Sequence, residues 1–242
     1  MILRVGTSGY AFPEWRGPFY PPETPDEAML GFYANRFPTV EINNTFYRMP
    51  KQHVVAAWAA QVPSTFLFAL KASQRITHHA RLKPECADSV AYLLRMTAVL
   101  EDRLGPVLFQ LPPNLKKDVD RLRRFLDLLP ADRRFTIEFR HESWFDEDVL
   151  DALRARDIAL CISEQEDFHS PVMSTAQWGY LRLHRPDYTP DTLRDWAGRV
   201  HAQTWTDAYV FFKHDHAAGS GPPAVEAFTG YTGQQSTAVA RP

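Results

Sequence analysis

Residues 134–141 alternate between apolar and polar side chains, the pattern of a β-strand with two different faces. One predicted face carries Phe135, Ile137 and Phe139, and the other carries Thr136, Glu138 and Arg140. Other apolar runs of the chain repeat this pattern, with charged residues near their carboxyl ends. Parallel barrels build their active sites at that end of the strands. The pattern therefore predicts a polar site at one mouth of a barrel.

Eight short apolar runs predict eight strands, at residues 2–6, 38–43, 66–71, 106–111, 134–140, 158–163, 178–184 and 208–213. Segments with helical period or helix punctuation lie between most of them, at residues 24–35, 51–60, 86–102, 118–128, 145–156, 190–203 and 222–229. Strands that alternate with helices in a chain of this length favour an α/β fold, a single (β/α)8 TIM-like barrel. An open doubly wound sheet is the alternative, although no glycine-rich phosphate loop follows the first strand.

Two regions depart from this regular alternation. Residues 164–177 are short and contain Pro171, so we expect an irregular crossover between strands 6 and 7. We assign residues 1–230 to one barrel domain and predict a flexible tail over residues 231–242. The first helix has a predicted capping box, in which Thr24 is the cap and Glu27 closes the box.

Charged residues concentrate on the predicted inner face of the strands, near the mouth. They are Glu41, Lys71, Glu138, Arg140, Arg182 and Lys213. This set has two more cations than carboxylates, and unpaired charge in a poorly solvated site is costly. An anionic ligand, or a loop carboxylate such as Asp215, is expected to balance the excess. The alternative is an ion-pair network that only fills the barrel.

Other side chains predicted at the mouth are candidates for substrate contact. The polar candidates are Ser8, Asn43 and Gln110, which are also typical of satisfied hydrogen-bonding residues at strand ends. The aromatic candidates are Trp15, Tyr47 and Trp144, in loops that follow strands 1, 2 and 5. Most aromatic residues in such loops are expected to pack within the loops themselves.

His141 and His184 fall at strand ends, where a histidine can exchange protons near neutral pH. Glu41 or Glu138 is the predicted partner carboxylate, so Glu41, Glu138, His141 and His184 are the candidate catalytic residues. Alternatively, the histidines only form hydrogen bonds across the mouth. A divalent metal site of Glu41, Glu138, His184 and Asp215 is a further possibility, although the sequence has no HExxH-like spacing and the cations would repel a metal.

Composition narrows the classes of protein. The chain of 242 residues is 45% hydrophobic, with a formal net charge of −2. This balance argues against general nucleic-acid or membrane-surface binding, which usually requires a broad excess of lysine and arginine. Cys86 and Cys161 form neither a metal motif nor a disulfide framework, which favours a reducing compartment. We find neither a leader pattern nor an apolar run long enough to span a membrane, so we expect a cytoplasmic protein.

Several long blocks of sequence resemble the DUF72 (YecE-like) family of uncharacterised bacterial and archaeal proteins. The blocks are residues 6–10, 13–21, 39–50, 71–78, 104–113, 138–144, 180–184 and 211–215. The resemblance implies a TIM-barrel-like fold and supplies no reaction. Two positions depart from the family pattern: Arg185 stands where glycine is usual, and Ser163-Glu164 replaces the more usual aspartate.

Three hypotheses follow. The first is a metal-independent enzyme acting on a phosphorylated or carboxylated small molecule, such as a sugar or nucleotide, without a cofactor. The second is a metal-dependent hydrolase or isomerase, with a phosphodiester as one conceivable substrate. The third is a non-catalytic protein that binds an anionic ligand in the same pocket. Oligomeric state is left open by the sequence.

Overall fold

The computed structural model describes residues 1–213 and 221–233. Eight parallel strands close into a barrel in which each strand pairs with its neighbours in chain order. The strands are β1 (Ile2–Ser8), β2 (Thr39–Ile42), β3 (Leu67–Lys71), β4 (Leu104–Gln110), β5 (Phe135–Glu138), β6 (Ala159–Glu164), β7 (Trp178–Leu183) and β8 (Asp207–Lys213). The predicted closed barrel is therefore confirmed, and the open sheet is wrong.

Helices follow most of the strands and cover the outside of the barrel. They are α1 (Asp26–Ala34), α2 (Asn44–Tyr47), α3 (Gln52–Ala60), α4 (Ala87–Thr97), α5 (Val119–Leu126), α6 (Glu147–Arg154), α7 (Pro190–His201) and α8 (Pro222–Tyr231). None of the helices within the described ranges is long and apolar enough to cross a membrane.

The alternation of side chains along each strand separates an inner from an outer core. The inner cluster contains Ala69, Leu108, Ala159, Cys161, Trp178, Tyr180, Tyr209 and Phe211. The outer side chains pack against the helices, as Phe135, Ile137 and Phe139 do in a cluster that includes residues of α5 and α6. Apolar residues fill the middle of the barrel, and Glu41, Glu138 and Arg182 lie above this floor, towards the carboxyl ends of the strands.

β1 and β2 are joined by a single registered pair, Ser8 with Glu41. The hydroxyl of Tyr33, from α1, supplies hydrogen bonds between β1 and β2 where direct strand pairing is absent. It accepts a hydrogen bond from the Thr7 backbone N–H (2.8 Å) and donates one to the Thr39 carbonyl (3.1 Å). Gly6 permits this close approach, since a Cβ there would lie 2.1 Å from the Thr39 carbonyl oxygen.

The crossover between β6 and β7 has no helix, as predicted. Side-chain hydroxyls attach it to β6. Ser170 Oγ accepts from the Ser163 N–H (2.7 Å), and Thr175 Oγ1 accepts from the Leu160 N–H (2.7 Å). Thr175 Oγ1 also donates to the Ile158 carbonyl (2.8 Å). These bonds satisfy buried backbone groups without a helix.

Two local predictions need correction or qualification. The capping box of α1 is wrong, because Pro25 occupies the N-cap and no side chain caps the helix. The Thr24 N–H instead bonds to the Pro21 carbonyl (3.0 Å). At the other end of the chain, α8 continues to Tyr231, one residue past the predicted domain boundary. The rest of the predicted tail, residues 234–242, lies outside the described residues.

Candidate active site at the barrel mouth

Arg182, near the end of β7, connects the two buried carboxylates of the mouth. Its Nε and Nη2 donate to Glu41 (both 3.0 Å), and its Nη1 donates to Glu138 Oε2 (2.6 Å). The two glutamates are fully buried, and the Arg182 side chain is 4% exposed. Since Glu41 and Glu138 come from β2 and β5, one guanidinium on β7 joins three strands that are not neighbours in the barrel.

Glu41 accepts three further hydrogen bonds at the same depth. Ser8 Oγ donates at 2.6 Å, Tyr180 Oη at 2.7 Å and Asn43 Nδ2 at 3.2 Å. Burial alone would raise the pKa of Glu41, but Arg182, Ser8 and Tyr180 outweigh it and leave the pKa below its usual value. Glu41 is therefore ionised at neutral pH.

Glu138 is held in a similar way from the other side. Gln110 Nε2 and Ser163 Oγ donate to it, each at 3.0 Å, and Arg140 Nε lies 2.5 Å from Oε1. Burial opposes ionisation, yet Arg182 and Arg140 lower the pKa of Glu138 to about 2. A carboxylate with so low a pKa is a weak base and holds no proton to give. Glu138 is therefore ionised at neutral pH, and its predicted acid–base role stays a prediction.

His184, directly after β7, is half-buried with Nε2 2.9 Å from Ser8 Oγ. Ser8 has one hydroxyl proton and donates it to ionised Glu41, so the proton in the His184–Ser8 bond must come from Nε2. Burial and the nearby Arg182 hold the pKa of His184 well below its usual value. His184 is thus a neutral imidazole whose lone pair is on Nδ1, and Ser8 is oriented away from any nucleophilic role.

Lys71 ends β3 and differs from Arg140 and Arg182, which pair with carboxylates. No carboxylate of the described residues pairs with its ammonium, which lies 4.2 Å from the centre of the Phe46 ring. Burial and Arg182 lower the pKa of Lys71 to about 8. Lys71 is therefore a half-buried cation without an anionic partner in the described part of the chain.

The charges at the mouth do not balance. Within the described residues, Arg182, Arg140 and Lys71 face Glu41 and Glu138, which leaves one excess positive charge. Lys213, beside Ser8 in the sheet register, adds another at the exposed rim. The sequence predicted an excess of this sign. Asp215, predicted as a possible counter-charge, lies outside the described residues.

The remaining predicted site residues have other surroundings. His141 Nδ1 accepts from the Ser143 N–H (3.1 Å) and caps the short turn Glu142–Trp144. Tyr47 is 73% exposed and packs edge-on against Phe46.

Two of the predicted aromatic contacts are core residues instead. Trp144 is fully buried, stacks on Phe139 and donates its indole N–H to the Leu115 carbonyl (2.6 Å). Trp15 is 5% exposed and packs with aromatic neighbours in its own loop, such as Phe19 and Tyr20. Their apolar surface stabilises the loops, so neither side chain lines the mouth.

The predicted metal ligands are arranged around Arg182. Glu41 and Glu138 both direct oxygens at its guanidinium, a group that repels a divalent cation. In the described part of the chain, no three His, Cys, Asp or Glu side chains form a cluster suited to a metal. The fourth proposed ligand, Asp215, is outside that part.

The sequence did not predict a role for Glu164, the last residue of β6. Its Oε2 accepts from Tyr188 Oη (2.7 Å) and Trp196 Nε1 (2.8 Å), which attaches α7 to the barrel. Its departure from the family pattern was the available signal. Phe46, beneath Lys71, was visible as an aromatic residue after β2, but its contact with Lys71 depends on the turn formed by α2.

Fold and site together define a (β/α)8 barrel with a polar, ion-paired mouth at the carboxyl ends of its strands, where enzymes of this fold carry their active sites. Residues 4–242 match the family described as "Protein of unknown function DUF72". The chain belongs to the DUF72 family.

Two bacterial relatives agree with this assignment. The chain is 36% identical over 114 residues to UPF0759 protein YecE of Escherichia coli K12, over 47% of this chain and 42% of the relative. It is 34% identical over 153 residues to UPF0759 protein YunF of Bacillus subtilis 168, over 60% of this chain and 52% of the relative. The matched region thus spans about half the length of these relatives.

Solved structures show the same fold. A DUF72 family protein of Thermotoga maritima aligns with a TM-score of 0.79 and 24% identity, over 95% of this chain and 97% of that chain. A second, from Enterococcus faecalis, gives a TM-score of 0.80 at 16% identity, over 97% and 96% of the two chains. A D-psicose 3-epimerase aligns at 0.50 and 10% identity, over 90% and 88%. At these identities the likeness concerns the fold alone.

Proposed function

We propose that this protein is a metal-independent enzyme that acts on an anionic small molecule bound at the barrel mouth. The observation that carries the proposal is Lys71, a half-buried cation with no carboxylate partner among the described residues. Unpaired charge in a poorly solvated site costs free energy, and a phosphate or carboxylate group on a substrate would remove that cost. Arg140 and Lys213 add positive charge on the same side.

The proposed roles follow from the state of each group. Lys71 and Arg140 hold the anion, with Lys213 at the rim. His184, neutral and with a free lone pair assigned to Nδ1, moves the proton. Glu41 and Glu138 stay ionised and fix Arg182, Ser8 and Tyr180 in place.

Cavities open near both ends of the barrel. A cavity of about 250 Å³ opens beside Ser8 and Asn43, with Tyr10, Phe12 and Trp58 among its walls. A larger cavity of about 750 Å³ lies at the other end of the barrel, next to Arg4, Arg134 and Asp207. There, both arginines already pair with Asp207. Neither of these two cavities is lined by Lys71, Arg140 or Arg182, so the proposed anion site depends on the charges of the mouth and not on a cavity.

Binding is tested by thermal unfolding with a panel of phosphorylated and carboxylated metabolites. A ligand at 100 times its dissociation constant is expected to stabilise the protein by about 2.7 kcal/mol. Lys71→Met and Arg140→Met should remove the shift, whereas Arg194→Met, an exposed arginine on α7, should keep it. If no anion in the panel raises the melting temperature, the proposal is wrong.

Catalysis is tested separately with the best-binding compound. We expect wild-type protein in D2O to change the proton NMR spectrum of that compound, by conversion or by exchange of a C–H proton. His184→Gln should bind it with similar affinity and leave its spectrum unchanged. A wild-type protein that binds without altering the compound would instead be the non-catalytic binding protein.

A further inference from the structure

We propose that Lys71 is an amine nucleophile that forms a Schiff base with an aldehyde or ketone carrying a phosphate or carboxylate group. This inference rests on the proposed function, since it takes the anion site at the mouth as given. It assigns Lys71 a covalent role and narrows the substrate to anionic carbonyl compounds.

The lysine is held in a defined position. Its carbonyl accepts a hydrogen bond from Thr45 Oγ1 (2.6 Å), which ties the end of β3 to α2. The same short helix carries Phe46, whose ring lies 4.2 Å from Nζ. His78 packs edge-on against Phe46, with the ring centres 5.0 Å apart. A flexible side chain is thereby presented at a fixed point of the mouth.

The surroundings of Lys71 raise the fraction of neutral amine above that of an ordinary lysine. A carboxylate partner would hold the proton on Nζ, but Glu41 and Glu138 are both engaged by Arg182. The face of Phe46 stabilises the ammonium only modestly. Burial and the fixed positive charge of Arg182 act against it, which accounts for the lowered pKa of Lys71, about 8. At pH 7 roughly a tenth of the molecules then carry a free amine.

The reaction balances without an oxidant or reductant. The Nζ lone pair attacks the carbonyl carbon, the C=O π electrons move to oxygen, and a proton passes from nitrogen to that oxygen to give a carbinolamine. The hydroxyl then leaves with a proton as water while the nitrogen lone pair forms the C=N bond. Overall, the lysine ammonium and the carbonyl compound give a protonated imine and one water.

The anionic group of the substrate has a receptor beside the lysine. Arg140 contacts Glu138 through Nε, and no described residue accepts a hydrogen bond from its Nη groups. Arg140 is also close enough to contribute to the lowered pKa of Lys71. Its Nη groups suit bidentate binding of a phosphate or carboxylate. A carbonyl a few bonds from that group would then lie near Nζ.

The test is reductive trapping with cyanoborohydride at pH 7. The probes are dihydroxyacetone phosphate, glyceraldehyde 3-phosphate, pyruvate and glyoxylate, with acetone as the uncharged control. At least one anionic probe is expected to add once per chain, and peptide mapping should place the adduct on Lys71. Because exposed lysines are almost fully protonated at this pH, we expect Lys71 to react at least about tenfold faster than any of them.

Variants and competition separate this site from general lysine reactivity. Lys71→Arg keeps the charge and should abolish the adduct, whereas Lys116→Arg, at an exposed lysine, should not. In wild-type protein, inorganic phosphate should slow labelling of Lys71 alone. The rate at Lys71 should rise with pH and level off above a midpoint near 8. Labelling spread evenly over the lysines, or unchanged in Lys71→Arg, would overturn the proposal.

Thermal unfolding with the same probes distinguishes failure of the Schiff base from failure of the anion site. A probe that stabilises the protein but is not trapped on Lys71 refutes the Schiff base and leaves the anion site intact. If no anionic compound stabilises the protein and none is trapped, the proposed function fails as well.

Discussion

At the scale of single residues, Arg182 determines the state of the mouth. Its guanidinium satisfies two fully buried carboxylates that come from different strands. Removing one partner from such a network leaves charges that neither water nor protein neutralises. The same side chain also keeps Glu41 and Glu138 ionised and lowers the pKa values of Lys71 and His184. One residue therefore controls both stability and the charge states proposed for chemistry.

Arg182→Met is expected to lower the free energy of unfolding by about 3–5 kcal/mol, because it leaves both carboxylates unpaired in the barrel. Urea unfolding monitored by circular dichroism measures the change. Arg194→Met, at an exposed ion pair on α7, should change it by less than about 0.5 kcal/mol. Equal stability of wild type and Arg182→Met would contradict the network.

Glu138 gives a pH prediction of defined sign. Its pKa is about 2 in the folded protein against 4.5 as the reference value, so the unfolded chain binds more protons between these limits. The stabilisation is therefore complete above about pH 4.5 and is lost as the pH falls towards 2. Urea unfolding at pH 5, 4 and 3 should show a decline in wild type that is shallower in Glu138→Gln. Glu147→Gln, an exposed residue of α6, should retain the wild-type slope.

At the scale of elements, the β6–β7 crossover is stabilised by side-chain hydroxyls in place of a helix. Thr175 is buried and bonds to two backbone groups at the start of β6, the Leu160 N–H and the Ile158 carbonyl. Those backbone groups have no water to replace a lost partner. The order of this segment therefore depends on a few hydroxyl groups.

Thr175→Val keeps the shape of the side chain and removes its hydroxyl. We expect it to lower the free energy of unfolding by about 1–3 kcal/mol, since the Leu160 N–H loses its acceptor. Thr175→Ser keeps the hydroxyl and should cost less than about 1 kcal/mol. Chemical denaturation measures the free energy of unfolding of both variants. If Thr175→Ser loses as much stability as Thr175→Val, the methyl group matters instead of the hydroxyl.

Elements were predictable where one physical signal dominated. Alternation along Thr136, Ile137 and Glu138 reflects burial on two different faces, and it identified the strand and the inward position of Glu138. The capping box at Thr24 failed because the N-cap lies one residue later, at Pro25, which has no side-chain group that can cap the helix. Trp144 was misplaced because an aromatic residue after a strand looks the same in sequence whether it packs inward or faces the mouth.

Site contacts between distant strands were less accessible to prediction. Arg182 was expected at the mouth, but its division between Glu41 and Glu138 depends on barrel closure, which no local pattern encodes. The same holds for the chain of hydrogen bonds from His184 through Ser8 to Glu41. Sequence therefore placed these residues at one end of the barrel and left their pairing undetermined.

At the scale of the whole molecule, closure of the barrel depends on the seam between β1 and β2. The seam has one registered pair, and Tyr33 from α1 bridges it through Thr7 and Thr39. Ser8 and Glu41, which form that pair, also belong to the candidate site. A helix on the outside is thus connected to the geometry of the mouth.

Tyr33→Phe removes the bridging hydroxyl without changing the ring. It is expected to lower the free energy of unfolding by about 1–3 kcal/mol, because the buried Thr7 N–H is left without its acceptor. Tyr92→Phe, at a tyrosine that is 44% exposed, should stay within about 0.5 kcal/mol of wild type. Guanidinium titrations of the two variants provide the comparison, and matching midpoints would refute a role for the hydroxyl.

The hydrogen bond to Tyr33 also links local opening of α1 to hydrogen exchange at Thr7. The amide hydrogen of Thr7 is protected by a side chain of α1. Other amide hydrogens of β1 are protected by the pairing of β1 with β8. Thr7 should therefore exchange with deuterium whenever α1 detaches, long before the chain as a whole unfolds. The exchange rate of the Thr7 amide would therefore measure how often α1 detaches from the strands beside Glu41.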